Sequence, residues 1–167
     1  YRVICGTDSE EIPVSLEGNS DSFRMKLSFL PNGNCVILPN INGRGYGFFK
    51  ITEGESSGLW SVLRSSEDEV LKGSLLITLY ENLRWKTISP QGFREEMLAY
   101  LPNESNSLLF SMALSYLGDC QRIFPSDSCP LEEALWKIVT TNPVSQHRLQ
   151  AFRLYRSIAD SEEAVQR

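Results

Sequence analysis

Histidine is nearly absent from this 167-residue chain, whose one histidine is His147. A single histidine cannot form the H-E-x-x-H pair that holds a catalytic zinc, and the sequence contains no such motif. A Ser-His-Asp triad would have to use His147, and no G-x-S-x-G elbow accompanies it. Because His147 stands among polar residues, we interpret it as a solvated surface side chain rather than as a ligand.

Cysteine is also scarce, and the four that occur, Cys5, Cys35, Cys120 and Cys129, are scattered along the chain. No two of them have the C-x2-C spacing of a zinc or redox site. We interpret them as buried small apolar residues. Cys120 and Cys129 bracket a loop, and a disulfide between them is the alternative.

The sequence has neither an excess of basic residues nor a long hydrophobic run. The 16 Lys and Arg residues against 21 Asp and Glu residues give a net charge of −5 at pH 7. This balance argues against nucleic acid as the main partner, since phosphate binding needs a basic surface. No apolar run approaches the ~20 residues of a membrane span. We therefore expect a soluble protein that does not bind nucleic acid and has no membrane span. The sequence does not specify its compartment.

The first 52 residues have the patterns of β-strands. Residues 12–16 and 23–29 alternate between apolar and polar, residues 35–38 suit a return strand, and residues 46–51 suit a further strand. Asn32-Gly33 suits a type I′ turn, because both central positions of that turn need positive φ.

From residue 55 onward the apolar period becomes helical. The predicted helix starts are Ser66 in a capping box with Glu69, Ser89-Pro90, Asn103, Cys129-Pro130 and Asn142-Pro143. Four leucines spaced by four form one buried stripe: Leu71, Leu75, Leu79 and Leu83. Gly118 suits a left-handed C-terminal cap. The three tryptophans, Trp60, Trp85 and Trp136, are interpreted as core or interface residues.

Helices of mostly 10–16 residues joined by short turns predict antiparallel helix pairs stacked in a superhelix. The predicted fold is therefore α+β and mainly α. A small antiparallel β-sandwich segment at residues 1–52 is followed by an α-helical HEAT-like superhelix of antiparallel helix pairs at residues 53–167. No strict repeat signature is present, which argues against a tetratricopeptide array.

Both ends of the sequence suggest a piece of a longer protein. The chain begins at Tyr1 rather than at methionine. Ser161 with Glu162 and Glu163 reads as a helix start, and the sequence stops at Arg167 before that helix could bury anything.

The glycine-rich segment from Gly43 to Gly47 invites comparison with a phosphate-binding loop. A phosphate cradle opens directly into a helix, whereas here a strand is predicted to follow, and no Gly-Lys-Ser/Thr occurs. We interpret the segment as a structural turn in which Arg44 anchors one part of the protein to another.

Three stretches in order resemble one enzyme family. They are residues 38–51 (Leu-Pro-Asn-Ile-Asn-Gly-Arg-Gly-Tyr-Gly-Phe-Phe-Lys-Ile), residues 72–83 (Lys-Gly-Ser-Leu-Leu-Ile-Thr-Leu-Tyr-Glu-Asn-Leu), and residues 103–117, which end in Leu-Ser-Tyr-Leu. Together they are similar to the joint and first helices of zinc aminopeptidases of the aminopeptidase N and endoplasmic-reticulum aminopeptidase type, the gluzincin metallopeptidases. The resemblance covers roughly residues 11–160.

The resemblance implies that the chain is the non-catalytic C-terminal portion of such an enzyme. The helical domain would then enclose and gate the peptide chamber of the parent. Its partners would be the upstream catalytic domain and peptide substrates. Zinc would belong to the parent, and this chain would hold no cofactor and be inactive alone. At the joint, Asn40, Arg44 and Tyr46 are expected to be structural residues that fix the β part against the helices.

A non-enzymatic interpretation stands beside this one. A β-sandwich joined to an α-solenoid could grip a protein partner on its concave face without catalysing any reaction.

Overall fold

A computed structural model of the chain describes residues 1–14, 26–28, 35–43, 45, 47–126 and 128–166. Its strands are β1 (Arg2–Cys5), β2 (Asp8–Glu11) and β3 (Cys35–Leu38). Its helices are α1 (Glu53–Ser65), α2 (Glu69–Arg84), α3 (Pro90–Tyr100), α4 (Ser107–Ile123), α5 (Cys129–Thr141), α6 (Ser145–Ile158) and α7 (Glu162–Gln166), with a 3-10 turn at Leu101–Asn103. The predicted α+β and mainly helical class is confirmed.

The chain forms two compact units, Tyr1–Asn82 and Leu83–Arg167, each of which is described by itself. The predicted domain boundary between residues 52 and 53 stays a prediction. No helix in the described ranges has the length and apolar character to cross a bilayer.

The sheet of the first unit is antiparallel, with β1 between β2 and β3. Arg2 lies opposite Glu11 on β2 and forms an ion pair with it. Beyond the ladder, the Tyr1 amino group donates to the Ile12 carbonyl at 3.0 Å. The predicted strand at residues 35–38 is confirmed as β3, which pairs with β1.

Three other predicted strands, at residues 12–16, 23–29 and 46–51, are wrong where they can be checked. Residues 47–51 follow no ladder, because their backbone groups bond to a helix side chain described below. Residues 12–14 and 26–28 are also outside any strand. The remainder of the predicted strands at 12–16 and 23–29, and the Asn32-Gly33 turn, lie outside the described residues.

Cys5 and Cys35 form a disulfide, which corrects the interpretation of all four cysteines as small apolar residues. The two residues are directly opposite each other in the β1–β3 register, 30 positions apart in sequence. Pairing of this kind depends on strand register, so residue spacing alone could not reveal it. Cys120 is buried as expected, Cys129 is exposed, and the alternative disulfide between them is not formed.

Helix α1 begins with a capping box. The Thr52 side chain accepts a hydrogen bond from the Glu55 N–H, and the Glu55 carboxylate accepts one from the Thr52 N–H at 2.7 Å. The bonds from the Thr52 N–H and then from its hydroxyl lower the pKa of Glu55. The sequence prediction placed a capping box at Ser66 and Glu69 instead. There Asp68 is the cap, since its carboxylate accepts from the N–H groups of Val70 and Leu71 at 3.0 and 3.1 Å.

Apolar side chains surround α2 on most sides. The predicted stripe of Leu71, Leu75, Leu79 and Leu83 is fully buried, as is Leu76 beside it. Leu59 and Leu63 of α1 complete the core of this part of the first unit. A helix with so broad an apolar surface is stable only when neighbouring elements cover it.

The second unit contains two antiparallel helix pairs. Arg94, in the first turn of α3, donates to the carbonyl of Phe124 just after α4 at 3.0 Å, so α3 and α4 run in opposite directions. Glu132 near the start of α5 binds residues 160 and 161 beyond α6, and Arg148 near the start of α6 donates to the Asn142 carbonyl after α5. The second pair is therefore antiparallel as well.

Helices α4 and α6 pack side by side in the same direction. Ser107 and His147 meet near their N-terminal ends, and Gly118 and Leu154 meet farther along. A Cβ at Gly118 would lie 2.8 Å from Cδ1 of Leu154, so the glycine permits this close approach. The predicted C-terminal cap at Gly118 is therefore wrong: a helix–helix contact, not a helix end, explains the residue.

Two other predicted helix starts agree with the structure, and a third does not. Ser89 caps α3 by accepting from the Gly92 N–H at 3.3 Å, and α5 begins at Cys129-Pro130 as predicted. The predicted cap at Asn103 is wrong, because that residue lies in the 3-10 turn. Asn106 caps α4 instead, accepting from the N–H groups of Leu108 and Leu109.

Glu132 joins the start of α7 to α5. Its buried carboxylate accepts hydrogen bonds from the Asp160 N–H at 2.8 Å and from the Ser161 hydroxyl. Burial by itself raises the pKa of Glu132, but these bonds outweigh burial and hold the pKa below its ordinary value. Ser161 in turn accepts from the Ala164 N–H at 3.1 Å, which confirms the predicted helix start at Ser161.

Gly58 permits α1 to lie against β3, and its replacement should be costly. A Cβ there would stand 2.7 Å from Cγ2 and 2.8 Å from Cγ1 of Val36, a β-branched side chain with little freedom to move. We expect Gly58→Ala to lower the free energy of unfolding by about 1 kcal/mol, because crowding exceeds the gain in helix propensity. Chemical denaturation measures the difference.

Gly54→Ala is the matched control on the same helix, since nothing lies within 4 Å of a Cβ at that position. It should raise stability by up to about 1 kcal/mol. Equal effects of the two substitutions would contradict the packing of α1 on Val36.

The Cys5–Cys35 disulfide closes a loop whose ends are 30 residues apart. The chain-entropy relation for a loop of that length predicts that the double variant Cys5→Ser/Cys35→Ser loses about 3–4 kcal/mol of stability. Cys129→Ser, at an exposed cysteine outside the disulfide, is the control and should unfold like the parent chain. A double variant as stable as the control would show that the bridge adds nothing.

Candidate functional site

The turn after β3 is organised by Asn40. Its φ is 48°, in the left-handed region that asparagine tolerates better than most residues. The Asn40 side chain accepts from the Gly45 N–H at 2.6 Å and donates to the Gly45 carbonyl at 3.1 Å. Its main-chain carbonyl accepts from the Gly43 N–H and from the Ser74 hydroxyl of α2. Asn40 therefore connects the turn to α2, whereas Arg44 and Tyr46 lie outside the described residues.

Asn82 fixes the segment that leads from this turn into α1. Its Oδ1 accepts from the Ile51 N–H at 2.9 Å, and its Nδ2 donates to the Phe49 carbonyl at 2.8 Å. The same Nδ2 donates to the Thr78 carbonyl one turn earlier in α2. The Asn82 side chain is fully buried. Its amide supplies the extended segment with hydrogen bonds that a neighbouring strand would otherwise provide.

His147 is buried, which corrects its interpretation as a solvated surface residue. It has 0% exposure, and its ring stacks on Phe110 with centroids 4.0 Å apart and planes 5° from parallel. Nε2 lies 3.0 Å from the Ser107 hydroxyl. The error arose because the sequence neighbours of His147 are polar, whereas α6 turns this one residue toward α4.

Glu104 is a second buried ionisable residue nearby. It accepts a hydrogen bond from the Tyr100 hydroxyl and another from the Asn106 N–H at 2.7 Å. Burial, followed by the bond to Glu104 and its charge, raises the pKa of Tyr100. Burial lowers the pKa of His147, and the charge of Glu104 opposes that shift.

This group of residues does not form a catalytic triad. Nδ1 of His147 is buried and has no hydrogen-bond partner among the described residues, so no carboxylate orients the ring. The stacked ring is also closed to solvent. Ser107 and His147 therefore act as a packing contact between α4 and α6.

The sequence has no H-E-x-x-H motif. Its one histidine is enclosed as described, and no group of three or more His, Cys, Asp or Glu side chains in the described ranges is placed to hold a metal ion. Burial raises the pKa of the Cys120 thiol despite the opposing effect of Arg94, which keeps the thiol protonated.

An open cleft of about 680 Å³ lies between α4 and α6. Its apolar wall includes Leu114, Leu154 and Ile158. Polar and charged side chains also face it, among them Ser111, Ser115, Gln150 and Arg153. Oε1 of Gln150 is buried and has no hydrogen-bond partner among the described residues. The cleft thus combines apolar area with polar side chains and one unpaired polar atom, as binding sites do.

Sequence reasoning missed most of these residues. Asn82 had a signal, because it is a polar residue one turn after Thr78 on a helix otherwise rich in leucine. Gln150 had no such signal in the sequence, since its role depends on how α6 packs.

Among the tryptophans, Trp60 is buried as expected and Trp136 packs against Tyr155. Trp85 is 70% exposed, so it is not a core residue, and its prediction as an interface residue stays a prediction.

A comparison with protein-family models, a search of curated proteins and a search of solved structures each found no match to this chain.

Burial of neutral His147 should make stability depend on pH. Because folding lowers the pKa of His147, the unfolded chain binds a proton more readily, with an ordinary pKa of about 6.5. Stability should therefore be complete above that pH and fall as the pH drops below it. Chemical denaturation at pH 7.5 and 5.5 measures this loss.

The matched variant is His147→Phe, which keeps an aromatic ring on Phe110 but cannot titrate. We expect its stability to change less between the two pH values than that of the parent chain. Equal changes in both proteins would mean that His147 does not cause the dependence.

Proposed function

We propose that this chain is the region that follows the catalytic domain of a zinc aminopeptidase of the aminopeptidase N type. One observation carries the proposal beyond the sequence resemblance. Two of the three stretches that resemble the family, residues 38–51 and 72–83, are bonded to each other. Ser74 donates to Asn40, and Asn82 binds the backbone of Phe49 and Ile51. Contacts of this kind are expected of two stretches that form one joint.

The helix arrangement of the second unit supports a HEAT-like continuation. In a two-layer array, the two helices of each repeat are antiparallel, and equivalent helices of successive repeats lie side by side. The pairs α3/α4 and α5/α6 are antiparallel, and α4 lies beside α6 in the same direction. These helices would form two successive repeats of the superhelix that we propose.

The proposed role of the chain is steric. Its helices would form part of a wall around the peptide chamber of the parent and so limit which peptides reach the zinc. The zinc and the general base would come from the parent's upstream domain, since this chain has no H-E-x-x-H. Asn40 and Asn82 would hold the small β part and the first helices together while the chamber is occupied.

The rival function, a protein-binding module without catalysis, is favoured by the open cleft between α4 and α6. A cleft with polar side chains and an unpaired polar atom can serve a binding module as well as a peptidase. The two functions differ in what should precede residues 1–167 in the reading frame.

The proposal is tested with two proteins. The isolated chain should bind no stoichiometric zinc and release no 4-nitroaniline from leucine 4-nitroanilide. The longer polypeptide of the same reading frame should contain H-E-x-x-H upstream and hydrolyse that substrate in a chelator-sensitive way. A Gln replacement of the glutamate in that upstream motif is the matched control and should abolish the activity.

Two results would overturn the proposal. One is a reading frame with no metallopeptidase motif before residue 1. The other is tight zinc binding with chelator-sensitive peptidase activity in the isolated chain.

A further inference from the structure

The cleft between α4 and α6 exists because small side chains face it. Gly118 allows Leu154 to approach α4 closely, while Ser111 and Ser115 leave space on the same side of the helix. Residues spaced by three or four share one face of a helix, so these three positions line up along α4. The result is a groove that runs along the helix rather than a round pocket.

The length of the groove favours an extended occupant. It is lined from Ser111 to Arg122, eleven positions along α4. At the helical rise this is about 16 Å, the length of about five residues of extended chain. A polypeptide also suits the lining, because hydroxyl and amide side chains can pair with its N–H and carbonyl groups while leucines cover apolar parts.

The polar lining needs a hydrogen-bond donor. Oε1 of Gln150 is buried and unpaired among the described residues, and such an acceptor is unfavourable until a donor reaches it. A rotation of this amide toward the cleft would bring Oε1 to an N–H of an extended peptide.

The charge of the lining favours an acidic sequence. The charged residues of α6 are three arginines, Arg148, Arg153 and Arg156, with no acid on that helix. Arg122 on the α4 side is paired with Asp119. The Arg153 guanidinium lines the cleft without a hydrogen bond or ion pair to the described residues, which leaves its donors open to a carboxylate.

We propose that the α4/α6 cleft binds a short extended peptide segment with an acidic side chain against Arg153. Gln150 and the two serines would hold the peptide backbone, and Leu114 and Leu154 would cover its apolar part. This inference concerns the second unit alone. The peptide-binding inference can be tested independently of the proposed peptidase origin, because it needs neither zinc nor any upstream domain.

The test uses the full chain and a rhodamine-labelled pentapeptide of alternating alanine and glutamate, followed by fluorescence anisotropy. Saturable binding at one site is expected, with much weaker binding of the same peptide carrying lysine in place of glutamate. Arg153→Gln should weaken binding at least about tenfold, the usual effect of removing a charged hydrogen-bond donor. Ser115→Leu should also weaken it, by filling the cleft without changing the charge.

Arg156→Gln is the matched control, because it removes the same charge from an exposed position on α6 that does not line the cleft. It should change binding less than about twofold, as expected for a surface charge. Circular dichroism verifies that every variant keeps its helices.

Several outcomes would overturn the inference. Equal loss of binding in the two arginine variants would show general attraction to positive charge. Equal binding of the lysine peptide would exclude recognition of an acid. Tighter binding of a short single-stranded oligonucleotide, or dimerisation of the chain that Ser115→Leu reverses without any peptide binding, would assign the cleft to another occupant.

Discussion

A single buried amide, that of Asn82, determines how the first unit connects its sheet to its helices. The extended segment at residues 47–51 pairs with none of the described strands, and this side chain bonds to two of its backbone groups, the Ile51 N–H and the Phe49 carbonyl. Buried peptide groups must find partners, so the segment would not keep its path without Asn82. The entry into α1 at Thr52, and with it the packing of α1 on β3, follows from that path.

Much of the helical part could be predicted from the sequence because its signals are local. Helix starts at Ser89, Cys129 and Ser161 and the leucine stripe of α2 depend on neighbours within a turn or two. The errors share a different origin. The Cys5–Cys35 pair, the role of Gly118 and the burial of His147 all depend on which elements come together, and no local pattern records that. For the same reason Asn40 could be named from the sequence, whereas Gln150 could not.

The second unit shows how one helix can combine two roles. On the face of α6 toward α4, His147 stacks on Phe110 and contacts Ser107. A little farther along, Gln150, Arg153 and Leu154 line the open cleft. The contact of His147 with Phe110 and Ser107 fixes the position of α6 on α4. The shape of the cleft depends on that position. The proposed steric wall and the proposed peptide site are therefore compatible with one helix pair.

The bridge between Cys5 and Cys35 also changes what a protease can achieve. Cleavage anywhere between the two cysteines would leave both products joined through sulfur. The N-terminal strand would stay beside β3 as a separate peptide, still paired in the sheet. Cleavage in that loop would therefore not separate the two products under oxidising conditions, and two fragments would be seen only after reduction. The sheet can thus stay assembled after the backbone is cut.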